Sequence, residues 1–221
     1  MSNNRDISFT QELLRKGIHL ISLSIPVIYI FVDKRTALAI LLPLTFFAVA
    51  IDLLSKFRNP VRLWLYRYFR RMLRPHETQD KLILNGASWV LISASLCVLI
   101  FPKLITVVSF TILIISDISA ALIGRKYGTH PIFINKSIEG TVAFIVSAVI
   151  VIFIYGIAFN APWTYYFAGV IAAIFGGLIE AISPIIKTDD NLSIPLSIGF
   201  TLWAFGSIAS AYGYPVFLNL I

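Results

Sequence analysis

The sequence predicts an all-α, polytopic membrane protein of about seven transmembrane helices with a cytoplasmic N-terminus, and three observations lead there. Of 221 residues, 58% are hydrophobic and 13% charged, with a mean hydropathy of +0.86, whereas a soluble domain carries roughly 25% charged residues. Seven apolar runs approach the roughly 20 residues that a span requires. Lysine and arginine fall almost entirely in alternate connections, which sets the sidedness.

The runs lie at 17 to 32, 36 to 54, 82 to 101, 104 to 123, 141 to 159, 164 to 183 and 195 to 217. Asp6 and Glu12 precede the first run and no small-residue cleavage site follows it, so it is expected to stay as a span rather than leave as a signal peptide. The sixth carries Gly169, Ala172, Ala173, Gly176 and Gly177, small residues three and four apart that let helices approach closely, with Trp163, Tyr165 and Tyr166 as an aromatic belt. The last ends at Tyr212-Gly213-Tyr214-Pro215, where tyrosines settle at an interface. Short connections leave room for one domain over 1–221.

Of the 18 basic residues, 15 lie in the N-terminus, the second connection at 55 to 81, the fourth and the sixth; Lys34, Arg35 and Lys103 lie opposite. The richer side is read as cytoplasmic, and this topology accounts for the net charge of +7 without a nucleic-acid partner. Within the second connection, residues 60–74 read PVRLWLYRYFRRMLR. Trp64, Leu65, Tyr68, Phe69 and Met72 share one helical face and Arg67, Arg70, Arg71 and Arg74 the other, as in an amphipathic helix on an anionic inner leaflet. Cys97 stands alone in an apolar run, which provides neither a disulfide framework nor a thiolate metal site.

The chain is organised around Ser116 to Thr141, SDISAALIGRKYGTHPIFINKSIEGT. It opens with Asp117 inside an apolar run, continues through the basic turn Gly124-Arg125-Lys126-Tyr127-Gly128, and ends at Lys136-Ser137-Ile138-Glu139-Gly140-Thr141, which starts the next run. A carboxylate within a span is costly and points to function. Cations, backbone amides and a nearby acid are what a metal-nucleotide phosphate group needs.

The other polar residues at span ends also fall toward the cytoplasmic side: Lys16 and His19 at the first span, Asp52 at the second, Asn85 at the third, Glu139 at the fifth and Glu180 at the sixth. Asp117 lies roughly 10 Å in from Gly124 at 1.5 Å per residue. Plainer readings exist for several. His19 suits an interface, Asp52 can pair with Lys56 at i,i+4, Asn85 can bond a neighbouring helix, and Asp189-Asp190-Asn191 can be a solvated turn. On the face of Gly124 to Glu139, however, Asp189, Asp190 and Asn191 offer oxygen ligands for Mg²⁺.

The combination of Arg15-Lys16-Gly17-Ile18-His19, Ser116-Asp117 through Gly124-Arg125, Lys136-Ser137-Ile138-Glu139-Gly140-Thr141, and Asp190-Asn191-Leu192-Ser193-Ile194-Pro195 resembles the dolichol kinase, phytol kinase and CTP-dependent diacylglycerol kinase family. Four blocks in matching order cover nearly the whole chain. The resemblance implies an integral membrane kinase that moves the terminal phosphate of a nucleotide, typically CTP, to a lipid alcohol with a divalent metal. By motif it makes Arg15, Lys16, Asp117 and Gly124 essential, with Lys136, Glu139, Asp190 and Asn191 in the other blocks. The family is also similar to the CDP-diacylglycerol synthases, but the Lys-Asp, His-Gly-Gly and Asp-Arg signature of those enzymes is missing, and Asp189-Asp190-Asn191 stands in its place.

The resulting expectation is that Arg15, Lys16, Arg125 and Lys136 bind nucleotide phosphates, with Gly124, Gly128 and Gly140 allowing close backbone approach and Glu139 beside them. Mg²⁺ is expected on some of Asp117, Glu180, Asp189 and Asp190, and Asp117 serves as metal ligand or as acceptor of the hydroxyl proton. The acceptor keeps its tail in lipid and presents its hydroxyl at the inner interface. The residence would be a cell membrane in a prokaryote, or an endoplasmic reticulum or plastid membrane in a eukaryote. Two readings compete: a phosphatidate cytidylyltransferase, which releases pyrophosphate, and a transporter, which calls for a polar site at mid-membrane and a repeat.

Overall fold

The computed structural model describes residues 16, 17, 19–57, 60, 61, 63, 84–133, 136–186 and 188–221. Arg15, Lys187 and all but residues 60, 61 and 63 of the expected interfacial helix at 60–74 lie outside them. Among the described residues the fold is all-α and polytopic: α1 (Ser24–Phe31), α2 (Lys34–Phe57), α3 (Gly86–Ile100), α4 (Lys103–Tyr127), α5 (Ile138–Ala158), α6 (Trp163–Ile186) and α7 (Asp190–Ala211). One departure from pure helix is a two-stranded antiparallel ribbon between α4 and α5, β1 (Pro131–Phe133) with β2 (Lys136–Ser137), which pairs Pro131 with Ser137 and Phe133 with Lys136.

Five helices, α2 and α4 to α7, are long and apolar enough to cross a membrane. The other two are shorter than expected. With 15 residues, α3 extends about 22 Å at 1.5 Å per residue, against a hydrocarbon core of about 30 Å. Before α1, the helical turns around His19 tighten, with Ser22 N–H, Leu23 N–H and Ile25 N–H each bonding the carbonyl three residues back at 3.0 Å. Pro26 accounts for the last of these, because it has no N–H for the Ser22 carbonyl and its ring crowds that oxygen.

Helix α4 is the axis of the bundle. It packs against α1, α3, α5 and α7, and Val107, Val108, Ile112, Leu113 and Ile114 are completely buried along it. A helix that is apolar all round belongs in the middle. Cys97 is also part of this core. Large apolar side chains such as Phe46, Phe47, Ile154 and Phe175 are exposed on the outer helices, as lipid-facing surfaces require. The glycines of α6 act as expected. A Cβ on Gly176 would meet Ile198 of α7 at 2.9 Å and Phe144 of α5 at 3.2 Å, so the small residues let α6 sit close to both neighbours.

Capping defines the remaining boundaries. Helix α5 starts at Ile138 rather than Thr141 because Ser137 accepts from the Gly140 N–H at 3.2 Å. It ends in a Schellman motif with Asn160 at φ 49° and Ala161 N–H bonding Gly156 O at 2.8 Å. The last helix stops at Ala211, short of the expected 217. Gly213 at φ 73° and the 2.8 Å bond from Tyr214 N–H to Ala209 O end it the same way, and the tail turns back so that Phe217 is fully buried against Tyr165. At that end of the bundle, Lys34 and Lys103 donate to Leu99 O and Ile30 O, both at 2.7 Å. They satisfy the last carbonyls of α3 and α1.

Candidate functional site

The opposite end of the bundle gathers charged groups from five separate segments. Lys16 comes from the helical turn before α1, Asp117 from the second half of α4, Lys136 from β2, Glu180 from α6 and Asp190 from the first residue of α7. The Lys16 ammonium forms a buried ion pair with Asp117, and His19 Nε2 lies 3.7 Å from the same carboxylate oxygen. The Lys136 ammonium pairs with Glu180 and reaches Asp190 at 3.5 Å. The two groups form one cluster, since Asp117 and Lys136 lie within electrostatic reach of each other, as do Asp117 and Glu180.

The cluster exists because each chain segment is locally committed to deliver its residue. Asp189 caps α7, accepting from Asn191 N–H at 3.0 Å and from Asn191 Nδ2 at 2.7 Å, which turns Asp190 into the first turn. The β1–β2 ribbon places Lys136 directly before the Ser137 cap. Burial works against the charge on Lys136, but Asp190 and Glu180, with a smaller contribution from Asp117, outweigh it and hold its pKa above the usual lysine value. A cation held this way stays protonated throughout the physiological range.

Gly124 and Gly140 have a shared structural function. A Cβ on Gly140 would lie 3.0 Å from Ala120 O and 3.3 Å from Gly124 Cα, and one on Gly124 would lie 3.2 Å from Ser137 Oγ. The end of α4 and the start of α5 therefore cross backbone to backbone. A Cβ on Gly128 would lie 2.1 Å from Gly124 O and 2.7 Å from the same Ser137 Oγ. The close approach that the sequence suggests for these glycines is made to the chain itself.

Other expected site residues fall elsewhere. Glu139 leans outward over the preceding loop. It accepts from Thr129 N–H at 3.1 Å and Thr129 Oγ1 at 2.7 Å, and its Oε1 lies 2.8 Å from His130 Nδ1, so it pins the root of the ribbon. Arg125 is exposed in the last turn of α4. Asp52 accepts from Asn85 N–H at 2.6 Å and Ser88 Oγ at 3.2 Å, while Asn85 caps α3 by accepting from Ser88 N–H at 2.9 Å. These residues tie α2 to α3, a partnership beyond the Lys56 pairing that the sequence suggests. Asn191 is buried and serves the Asp189 cap.

Among the described residues no three His, Cys, Asp or Glu side chains group as a ready metal cage. The carboxylates are instead held by lysines or by a helix N-terminus. Local sequence carries no sign of the Thr129–His130–Glu139 cluster, because its three members meet only after the ribbon folds. Ser116 and Thr141 bury hydroxyls that have no hydrogen-bond partner among the described residues.

Sequence comparison places this geometry in a lineage. An uncharacterised protein of Rickettsia prowazekii (strain Madrid E) is 32% identical over 192 residues, spanning 86% of this chain and 92% of the other. The chain belongs to the same family. More distant relatives are CTP-dependent diacylglycerol kinases. The CTP-dependent diacylglycerol kinase 1 of Saccharomyces cerevisiae is 26% identical over 210 residues, spanning 86% of this chain and 72% of the kinase. That of Schizosaccharomyces pombe is 29% identical over 146 residues, spanning 59% of this chain and 65% of the kinase. No family model matches the chain. No solved structure matches it.

Proposed function

We propose that the protein is a CTP-dependent lipid-alcohol kinase that transfers the γ-phosphate of CTP to the hydroxyl of a membrane lipid at the cytoplasmic interface. The observation that carries this reading is the convergence of Lys16, Asp117, Lys136, Glu180 and Asp190 at one end of a membrane bundle whose distant relatives are CTP-dependent diacylglycerol kinases. Diacylglycerol, a polyprenol and phytol all present an apolar tail and a hydroxyl at that depth.

Phosphoryl transfer asks mainly for charge neutralisation and in-line positioning. In this reading Lys16 and Lys136 take the nucleotide phosphates, together with Arg15, which neighbours Lys16 in the sequence. The lipid hydroxyl oxygen bonds to the γ-phosphorus as the bond to the β–γ bridging oxygen breaks, and CDP leaves. Asp117 accepts the hydroxyl proton or contributes to the metal site.

A divalent cation fits the donor set without a three-acid cage. Mg²⁺ is usually bound through one or two carboxylates plus substrate phosphates, and Glu180 and Asp190 share a single ammonium. These two residues would hold it, and its chemistry there would be to neutralise charge on the transferring phosphate. Asp189 is the weaker candidate, because its carboxylate already caps α7.

The test is to incubate the purified protein in lipid nanodiscs with Mg²⁺, γ-labelled CTP or ATP and a panel of lipid alcohols, and to identify the product by mass spectrometry. A labelled lipid monophosphate is expected with CTP. A CDP-lipid with pyrophosphate release would replace this reading by a cytidylyltransferase, and the absence of any lipid product would favour a transport role.

A further inference from the structure

Among the described residues, the ribbon between α4 and α5 and the helix ends that flank it leave apolar side chains exposed. Tyr127, Ile132, Phe133 and Ile138 are all exposed, and Arg125 and Lys126 stand beside them in the last turn of α4. The Lys126 ammonium lies 5.0 Å over the Tyr127 ring. In water alone these side chains would be a liability. Apolar and aromatic groups next to basic ones are instead the composition of a segment resting in the headgroup region.

We propose that the ribbon is a lipid-docking element, with Ile132 and Phe133 seated in the bilayer interface and Arg125 and Lys126 facing anionic headgroups. Position supports that occupant. The ribbon joins two helices that are both long and apolar enough to span, so it lies where they leave the hydrocarbon, continuous with their lipid-facing surfaces. Charge supports it as well, since the two basic residues complement an anionic leaflet.

The docking strand is tied to the charged cluster. Phe133 pairs in register with Lys136, whose ammonium contacts Glu180 and Asp190. Ile138 N–H bonds His130 O at 2.9 Å, and Glu139 fastens Thr129 and His130. Seating β1 in the interface therefore sets the position of β2 and of Lys136. This second step rests on the kinase reading, while the docking itself does not.

The experiment is nitroxide labelling in nanodiscs. In a Cys97→Ala background, Ile132→Cys and Phe133→Cys are labelled and compared with Thr188→Cys, an exposed residue in the α6–α7 connection. Docking predicts that collisions with oxygen exceed those with a water-soluble nickel complex at 132 and 133 and not at 188, and that the labels move deeper when anionic lipid is added. Equal nickel accessibility at all three sites would overturn the proposal, and indifference to anionic lipid would overturn the part assigned to Arg125 and Lys126. Phe133→Glu should move the label at 132 into water and weaken CTP binding several-fold. A displaced label with unchanged CTP affinity would sink the link to Lys136. If the unaltered protein binds no CTP, the kinase reading fails, and the depth measurement still decides the docking.

Discussion

The Lys16 ammonium lies against the Asp117 carboxylate, 101 residues further along the chain, and both side chains are buried. This contact joins the turn before α1 to the central helix. Breaking such a pair from one side leaves an uncompensated charge, at a cost of about 3–5 kcal/mol. Asp117→Asn and Lys16→Met should each lower the unfolding midpoint in detergent, whereas the double variant should lose less than the two combined. Both single variants should also lack lipid phosphorylation. A folded Asp117→Asn protein with normal turnover would remove Asp117 from the proposed chemistry.

Lys136 serves two carboxylates, so its loss should be felt at both. In Lys136→Met, Glu180 and Asp190 face each other without their shared cation, and CTP binding measured by calorimetry should fall by at least tenfold. Lys136→Arg keeps the charge but spreads it over a planar fork, and should recover part of the binding. Equal affinity in Lys136→Met and the parent would argue against a phosphate contact at β2.

The pH dependence of this pairing follows from the raised pKa of Lys136. A lysine with a higher folded-state value contributes stability that is fully present below the ordinary value of 10.5 and is lost as pH rises through the folded value. The difference in unfolding midpoint between parent and Lys136→Met should therefore stay constant from neutral pH to about 10 and shrink only at higher pH. A difference that fades between pH 7 and 9, on the order of two units lower, would show that the pairs do not hold the ammonium charged.

Gly140→Ala tests the crossing of α4 and α5. Its new methyl would stand 3.0 Å from Ala120 O and 3.3 Å from Gly124 Cα, both backbone atoms that cannot rotate away, so overpacking should cost about 1–3 kcal/mol. Gly17→Ala meets nothing within 4 Å among the described residues and should be tolerated. Comparable midpoints for the two variants would show that the crossing is looser than the geometry implies.

Asp52 should separate stability from chemistry. Asp52→Ala leaves Asn85 N–H and Ser88 Oγ without their acceptor, a loss of about 1–3 kcal/mol, yet turnover per folded molecule should be unchanged. A folded Asp52→Ala protein with strongly reduced turnover would return this residue to the candidate site.

The bundle was legible from composition and pattern because a membrane leaves the backbone few options. Each apolar run became a helix, but the last one ended inside its expected run, because Tyr212-Gly213-Tyr214-Pro215 read as an interface and not as the turn that Gly213 makes at positive φ. The two short helices were less legible, since Pro26 acts on a carbonyl four residues earlier and α3 depends on its Asn85 cap. The ribbon was not legible, because its five described residues are too few to show a strand period. The polar caps were the most ambiguous, for Ser137, Asp189 and Asn85 look like loop residues until their backbone partners are in place.

The one-dimensional pattern alone determined that this chain is a polytopic helical membrane protein with most of its acids and cations toward one end of the runs, since hydropathy and charge depend on residue type. Only tertiary structure decided which acid meets which cation. Asp117 chose Lys16, Glu180 and Asp190 share Lys136, and Glu139 went to Thr129 and His130 instead. The reason is that an ion pair forms over a few ångströms, and helix crossing at Gly124 and Gly140, capping at Asp189 and the register of the ribbon set those last ångströms.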